Sequence, residues 1–310
     1  VYKETVQAST FDKTVTIFEN HILPNLGDFE INKVSLDDCQ AFINSLSKDY
    51  KSYRKAFNYA SLVFDFAEAR DLITKNPMNH VIIPKPKVVI ESKEQLLFKD
   101  NYYEKDELYH FLECVKEHKS NNQFMKYAFF TLIAFTGLRK GEAFALNWGD
   151  INFKEKYLSV TKAVAYSKED KLYLTDPKNK KSRLVSLDDE TLSILKQWKD
   201  MQQNLLKLNL ESNNEEQLLF MNSSNQLINP NKAQQWINTI QKTFNLKPVT
   251  THGLRHSHCA YCFNVGMSPR EVKDRLGHSD INITMEQKVI LRKCKKLLAV
   301  NKINRDKDNK

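Results

Sequence analysis

Apolar and polar positions follow two different periods along this chain, and the change of period divides it. Through the first 83 residues the apolar spacing is helical. Ser9 is placed to cap a helix running through TFDKTVTIFENHIL. SLDDCQAFINSL opens on Ser35 with Asp38 three residues later, a variant of the capping box in which hydroxyl and carboxylate satisfy first-turn N–H groups reciprocally. YRKAFNYASLVFDFAEARDL places Phe57, Leu62, Phe64, Phe66 and Ala69 on broad helical faces, and NPMNH is expected to stop that helix at Pro77. No two-residue alternation interrupts this region, so residues 1–83 are expected to form a small all-helical bundle.

VIIPKPKVVIESKEQLLFKD carries Pro84 and Pro86 among lysines, which predicts an extended, basic linker over residues 84–101. A second domain, 102–310, opens with the amphipathic helix of NYYEKDELYHFLECVKEH. NQFMKYAFFTLIAFTG follows as an apolar helix closing at Gly137, too short and too polar at its start to cross a membrane. Then the period drops to two. KYLSVTKAVAYS, KLYLT and SRLVSL are short β-prone runs parted by charged turns, which predicts a small antiparallel sheet among the helices. From Asp188 the chain reads helical to its basic tail, RKCKKLLAVNKINRDKDNK. The expected fold is mainly α with a small antiparallel β-sheet in the second domain.

Charge narrows the partners. Among 310 residues, 47 Lys+Arg stand against 38 Asp+Glu, a net +9 that favours a polyanion, either nucleic acid or an anionic membrane surface. No run of about 18 apolar residues offers a membrane span. The opening VYKETVQAST lacks a signal-peptide core and a starting Met, so the sequence reads as part of a longer protein. Cys39, Cys114, Cys259, Cys262 and Cys294 are irregularly spaced, as expected of reduced thiols in a cytoplasm. Cys259 and Cys262 form a C-x-x-C, but structural zinc needs a second ligand pair, and His256 and His258 are too close in sequence to supply it. The two cysteines are expected to share one helix face and pack.

Four stretches carry candidate chemistry. FTGLRKGEAFALNWGDI sets Arg139 just past Gly137 at a helix start, where free N–H groups and a guanidinium suit an anion. DPKNKKSRLV puts Lys178 on an expected hairpin tip between β-runs. THGLRHSH holds His252 and Arg255 at i, i+3, on one helix face. RLGHSDINIT offers His278 after a glycine turn.

TGLRKGE, PKNKKSR, HGLRHSH and LGHSD, in this order, resemble the tyrosine recombinase family of phage and integrative-element integrases. The resemblance spans the whole chain. Its flavour is that of integrases from low-GC Gram-positive bacteria, which commonly carry a further N-terminal arm-binding domain. It implies a helical core-DNA-binding domain at 1–83, a basic linker at 84–101 and a catalytic domain with a C-terminal tail at 102–310, closing as a two-domain C-shaped clamp on DNA. It implies site-specific integration or excision of a mobile element through phosphotyrosyl strand exchange, without metal or cofactor. The implied partners are double-stranded DNA at core recombination sites, three further copies in a homo-tetramer, and accessory excision or DNA-bending proteins, in a bacterial cytoplasm at the nucleoid. Arg139 and Arg255 would clamp the non-bridging oxygens of a phosphodiester as it becomes pentacoordinate. His252 and His278 would donate hydrogen bonds or move protons. Lys178, or its neighbours Lys180 and Lys181, would protonate the departing 5′ oxygen. Glu142, one turn after Arg139, would orient these side chains, and His256 and His258 would serve packing or support.

One departure stands out. Counted on from His278, the family's nucleophilic tyrosine would fall at Gln287 or Lys288, and no tyrosine follows Tyr261. Tyr261 itself lies on the His-x-x-Arg helix and is expected to pack. A lost segment after Met285, a decayed reading frame and a relative that binds DNA without cutting all account for this, so no nucleophile is assigned. A catalytically silent DNA-binding protein of the same fold is therefore the alternative reading. A helical protein-interaction scaffold explains the helices but not Arg139 with His252, Arg255 and His278. In the tail, Val289, Ile290, Leu291, Leu297, Leu298 and Val300 give an apolar side expected to dock on a neighbouring protomer, with residues 285–288 flexible before it.

Overall fold

A computed structural model describes residues 1–85, 101–177, 181–206, 215–282 and 284–285. They form two compact units, one built on the N-terminal helices together with residues 166–171, and one carrying the remaining helices and most of the strand residues.

In the first unit the main helices are α1 (Ala8–Ile17), α2 (Leu36–Asp49) and α3 (Tyr53–Glu68). Ser35 caps α2 as expected, accepting from the Asp38 N–H while the Asp38 carboxylate accepts from the Ser35 backbone. Ser9 caps nothing. The Gln7 carbonyl already accepts from the N–H groups of Thr10 and Phe11, so α1 begins at Ala8 and Ser9 falls inside its first turn.

The helix expected to run to Pro77 ends at Glu68. Asn76 explains how the chain turns there. It is buried, donates to Asp65 at 2.6 Å and to the Ser61 carbonyl, and accepts from the Met78 N–H, so Pro77 opens a separate 3-10 turn. Only one stripe of α3 is covered: Tyr53, Ala56, Phe57, Ala60, Phe64 and Ala67, at the i, i+3, i+4, i+7 spacing of a single face. Leu62 and Phe66, read with Phe57 and Phe64 on broad helical faces, remain 53% and 47% exposed. Phe42, Ile43 and Ile22 meet that stripe to form the unit's core.

The second unit is organised around α5 (Gln123–Thr136). Ala128, Phe129, Phe130, Leu132, Ile133 and Ala134 are all buried, so the helix is apolar on nearly every side because it is surrounded. Phe129 stacks on Phe144 at 4.4 Å and meets Phe220 and Trp236 edge-on at 5.2 and 5.7 Å. Before it comes α4 (Lys105–Glu117) and after it the short α6 (Lys140–Phe144). The helix stops at Gly137, as expected, with φ +66°. A Cβ there would lie 2.4 Å from Leu276 Cδ2 and 2.7 Å from His258 Cδ2, so both conformation and space require glycine.

Two small sheets replace the one expected. β1 (Ile151–Asn152), β2 (Tyr157–Val160) and β5 (Arg183–Ser186) form an antiparallel three-stranded sheet with Leu158 opposite Val185. β3 (Ala163–Ser167) pairs with β4 (Lys171–Thr175). KYLSVTKAVAYS thus breaks at Thr161 and Lys162 into strands of different sheets. For the same reason β4 and β5, which flank the expected Lys178 turn, belong to different sheets. Lys178 itself lies outside the described residues, as do 86–100 of the expected linker and the tail from 286.

Helices α7 (Asp189–Leu206), α8 (Asn231–Thr243), α9 (Thr251–Asn264) and α10 (Pro269–Leu276) complete the unit. α9 crosses α5, and α10 follows it through the Gly266 turn. No described helix is long and apolar enough to cross a membrane.

Candidate functional site

The site forms where the ends of α5 and α10 meet, beside β5. Glu142 is its hub. Its carboxylate is 1% exposed and accepts from Arg139 Nη1 at 2.8 Å and from the Arg139 backbone N–H at 2.9 Å. It also takes a two-pronged pair from Arg183, Nη2 at 2.7 Å and Nη1 at 3.1 Å. Burial alone would raise its pKa, but the hydrogen bonds and charge of Arg183, then the charge of Arg139, outweigh that and hold it at about 2. The carboxylate is therefore ionised wherever the protein is folded at ordinary pH.

Arg255 comes from α9 and is 1% exposed. Its Nη1 donates to the Gly137 carbonyl and its Nη2 to the Leu276 carbonyl, each at 2.6 Å, and its Nε is buried with no hydrogen-bond partner among the described residues. Desolvation, then the Arg139 charge, pushes its pKa down to about 9, so it stays cationic at neutral pH. His278 follows α10 directly, 9% exposed, its Nδ1 2.8 Å from Thr284 Oγ1. Burial first, then the charges of Arg255 and Arg139 and the rings of His252 and His256, lower its pKa to about 3. It is neutral in the free protein, able to donate from one ring nitrogen and accept at the other.

His252 stands one turn before Arg255 on the exposed side of α9, its ring edge-on to His256 at 4.7 Å. The shared i, i+3 face thus splits by depth, Arg255 inside and His252 outside. His258 is a buried strut: Nδ1 lies 3.0 Å from the Ala134 carbonyl and Nε2 accepts from Arg275 Nε at 3.0 Å. Arg275 also donates to the Phe135 carbonyl and to Ser186, tying α10 to the end of α5 and to β5.

Arg139, Lys181, Arg183, Lys273, Asp274 and His278 line a concavity of about 360 Å³. Of the residues expected from sequence, Arg139 and His278 are on this wall, Glu142 is bonded to Arg139, and the buried Arg255 and the exposed His252 are close enough to act on His278. Lys178 lies outside the described residues, while Lys181 is on the wall. Preorganised cations around a neutral imidazole, in a partly dry recess, are suited to a phosphoryl group that gains charge as it reacts.

Arg183 and Arg275 were not singled out from sequence. The only signal was position, Arg183 ending PKNKKSR and Arg275 opening the last turn before Gly277. Cys259 and Cys262 are packed with Val272 and Leu276, and burial pushes the Cys259 thiol up to about 12. Tyr261 packs edge-on against Phe135 at 6.1 Å.

Comparison with known proteins places these features. The model of the phage integrase family matches residues 101–287, and that of the phage integrase N-terminal SAM-like domain matches residues 1–47. The ICEBs1 integrase of Bacillus subtilis is 24% identical, over 87% of this chain and 70% of its own length. A XerC-like tyrosine recombinase of Caldanaerobacter subterraneus is 27% identical, over 92% and 74%. Among solved structures, the Tn1549 transposon integrase in complex with a circular intermediate DNA superposes with a TM-score of 0.71 at 18% identity, covering 92% of this chain and 90% of that one. A lambda integrase dimer bound to a core site gives 0.65 at 16% identity, covering 92% and 90%. At these identities the structures speak to fold.

Proposed function

The chain belongs to the phage integrase family, and from that premise we propose that it is a site-specific DNA recombinase that integrates or excises a mobile element. The carrying observation is that Arg139 and His278 line one basic recess, with Glu142 bonded to Arg139 and the buried Arg255 close enough to act on both Arg139 and His278.

Double-stranded DNA is the substrate. Residues 1–83 act as the core-DNA-binding domain, 84–101 as linker and 102–310 as catalytic domain, the two domains gripping opposite faces of the duplex. Arg139 and Arg255 hold the non-bridging oxygens of the scissile phosphate. For this Arg255 has its Nε–H, which has no hydrogen-bond partner among the described residues, and the second N–H of each Nη, the first being given to the Gly137 and Leu276 carbonyls. His252 and His278 donate to the same oxygens or carry protons, and Lys178 or Lys181 protonates the leaving 5′ oxygen. A tyrosine would take the 3′ phosphate as a covalent ester, conserving the bond energy for religation. Four copies assemble on paired sites, with accessory excision or bending proteins, in a bacterial cytoplasm at the nucleoid.

The absence of a tyrosine after Tyr261 in this sequence supports the second reading, a DNA-binding relative that does not cut. A duplex nicked beside the cleavage point separates the two. A covalent protein–DNA adduct marks the recombinase; binding of the same duplex without an adduct marks the silent relative. Failure to bind duplex DNA at all would sink both.

A further inference from the structure

The last turn of α10 and the residue that follows it have an unusual set of partners. Three successive carbonyls, those of Arg275, Leu276 and Gly277, each lie within hydrogen-bond reach of a different guanidinium: Arg183 Nε at 3.1 Å, Arg255 Nη2 at 2.6 Å and Arg139 Nη2 at 3.5 Å. The end of a helix concentrates unsatisfied carbonyls and partial negative charge, so guanidinium groups are favoured there. Of the three, Arg139 and Arg255 are the expected phosphate ligands. Arg183 is different. All three of its nitrogens are engaged inside the protein, Nε with Arg275 and both Nη with Glu142, and its side chain is only 10% exposed.

Space is made for it. Gly277 sits at φ +66°, and a Cβ there would lie 3.0 Å from Arg183 Cδ and 3.1 Å from Nη1. The turn that delivers His278 therefore leans directly on the Arg183 side chain.

Charge counting shows what Arg183 does. Glu142 is a buried carboxylate that must be neutralised, since an unpaired buried charge is very costly. With Arg183 supplying two N–H groups, Arg139 gives the carboxylate one Nη and its backbone N–H and still lines the recess. Without Arg183, Glu142 has Arg139 as its remaining hydrogen-bonded cation among the described residues and would draw the whole guanidinium inward, away from an incoming phosphate.

Resting on the reading of the recess as a phosphate site, we infer that Arg183 is a positioning residue of this site. It occupies Glu142 so that Arg139 faces the substrate, and it fixes the α10 turn that carries His278. A lysine cannot replace it, because one ammonium cannot span both carboxylate oxygens and the Arg275 carbonyl with Arg's fixed geometry.

The test uses inorganic phosphate as the probe, titrated into the whole chain and followed by the His278 ring resonances, with thermal unfolding run in parallel. Arg183→Lys keeps the net charge and is expected to bind phosphate at least tenfold more weakly while retaining a cooperative unfolding transition. The double variant Glu142→Gln with Arg183→Gln removes the carboxylate that would capture Arg139, and is expected to return to within about threefold of the native affinity. Native-like affinity in Arg183→Lys, or a double variant no better than Arg183→Gln alone, would overturn the inference. Should Arg183→Lys not fold, the comparison of the double variant with Arg183→Gln decides alone. A native chain that gives no saturable phosphate response at His278 would instead remove the functional reading, and this inference with it.

Discussion

Acid should loosen the second unit through His258 before it touches most of the protein. His258 is 2% exposed and its Nε2 accepts a hydrogen bond from Arg275 Nε. That arrangement requires the neutral ring, protonated on Nδ1 toward the Ala134 carbonyl. A second ring proton would point at a guanidinium N–H in a dry site. Burial first, then the Arg275 charge, accordingly lowers the pKa to about 3, against an ordinary value of 6.5 in the unfolded chain. The sign follows. Between these values the unfolded state binds the proton and the folded state refuses it, so stability is full above pH 6.5 and falls as pH drops toward 3. At about 1.4 kcal/mol per unit, His258 removes about 2 kcal/mol between pH 6.5 and 5. All three tryptophans, Trp148, Trp198 and Trp236, belong to this unit, so urea unfolding followed by tryptophan fluorescence reports it selectively. Unfolding free energies at pH 7 and pH 5 should drop by about 2 kcal/mol more in the native chain than in His258→Gln, whose side chain does not titrate. A native His258 resonance that titrates near pH 6.5, or equal pH dependence in both chains, would refute the reasoning.

Phe129→Ala should cost about 3–5 kcal/mol in the same fluorescence assay, because the ring lies between Phe144, Phe220 and Trp236 and leaves a cavity that the crossing helices cannot close. Gly277→Ala and Gly266→Ala both force alanine to positive φ, but only the Gly277 Cβ meets Arg183, so phosphate binding should weaken in Gly277→Ala alone, while each loses on the order of 1–2 kcal/mol of stability. On duplex DNA the logarithm of the binding constant should fall with the logarithm of salt by about 0.9 per phosphate contact, and Arg139→Ala should shallow that slope by about one contact; a slope near zero in the native chain would contradict a phosphate-gripping surface.

What the sequence revealed depended on how far apart the interacting groups lie. The Ser35–Asp38 box and the Gly137 stop are decided within one turn of chain, and both read correctly. His252 and Arg255 were rightly placed on one helix. Burial on that helix depends on α5 and the α10 turn, so the sequence could not say that Arg255 is sealed and His252 open. On α3, Leu62 and Phe66 look as apolar as Phe57 and Phe64, and only the position of α2 and the Asn76 turn chooses which stripe is covered. Residues 151–186 carry short β-prone runs, but which run pairs with which is a non-local choice, and one expected sheet became two.

The frame of the site was the least legible part for a specific reason. Arg255 is held by the carbonyls of Gly137 and Leu276, Arg183 by that of Arg275, and Arg275 by those of Phe135 and Ser186. Backbone acceptors exist at every residue, so no residue type marks them in advance. A motif search finds the cations because their side chains are distinctive, and it misses the acceptors that aim them. The same logic explains why two glycines matter here. Gly137 and Gly277 each end a helix at positive φ, and each leaves its Cβ space to a neighbour that fixes a cation: Leu276 and His258 at the first, Arg183 at the second. Arg139 and His278 are thus placed just beyond two helix ends that are clamped to each other through guanidinium groups. In such an arrangement the positions of Arg139 and His278 are set by the packing of α5 against α10, and a core change as remote as Phe129 should be felt at the recess.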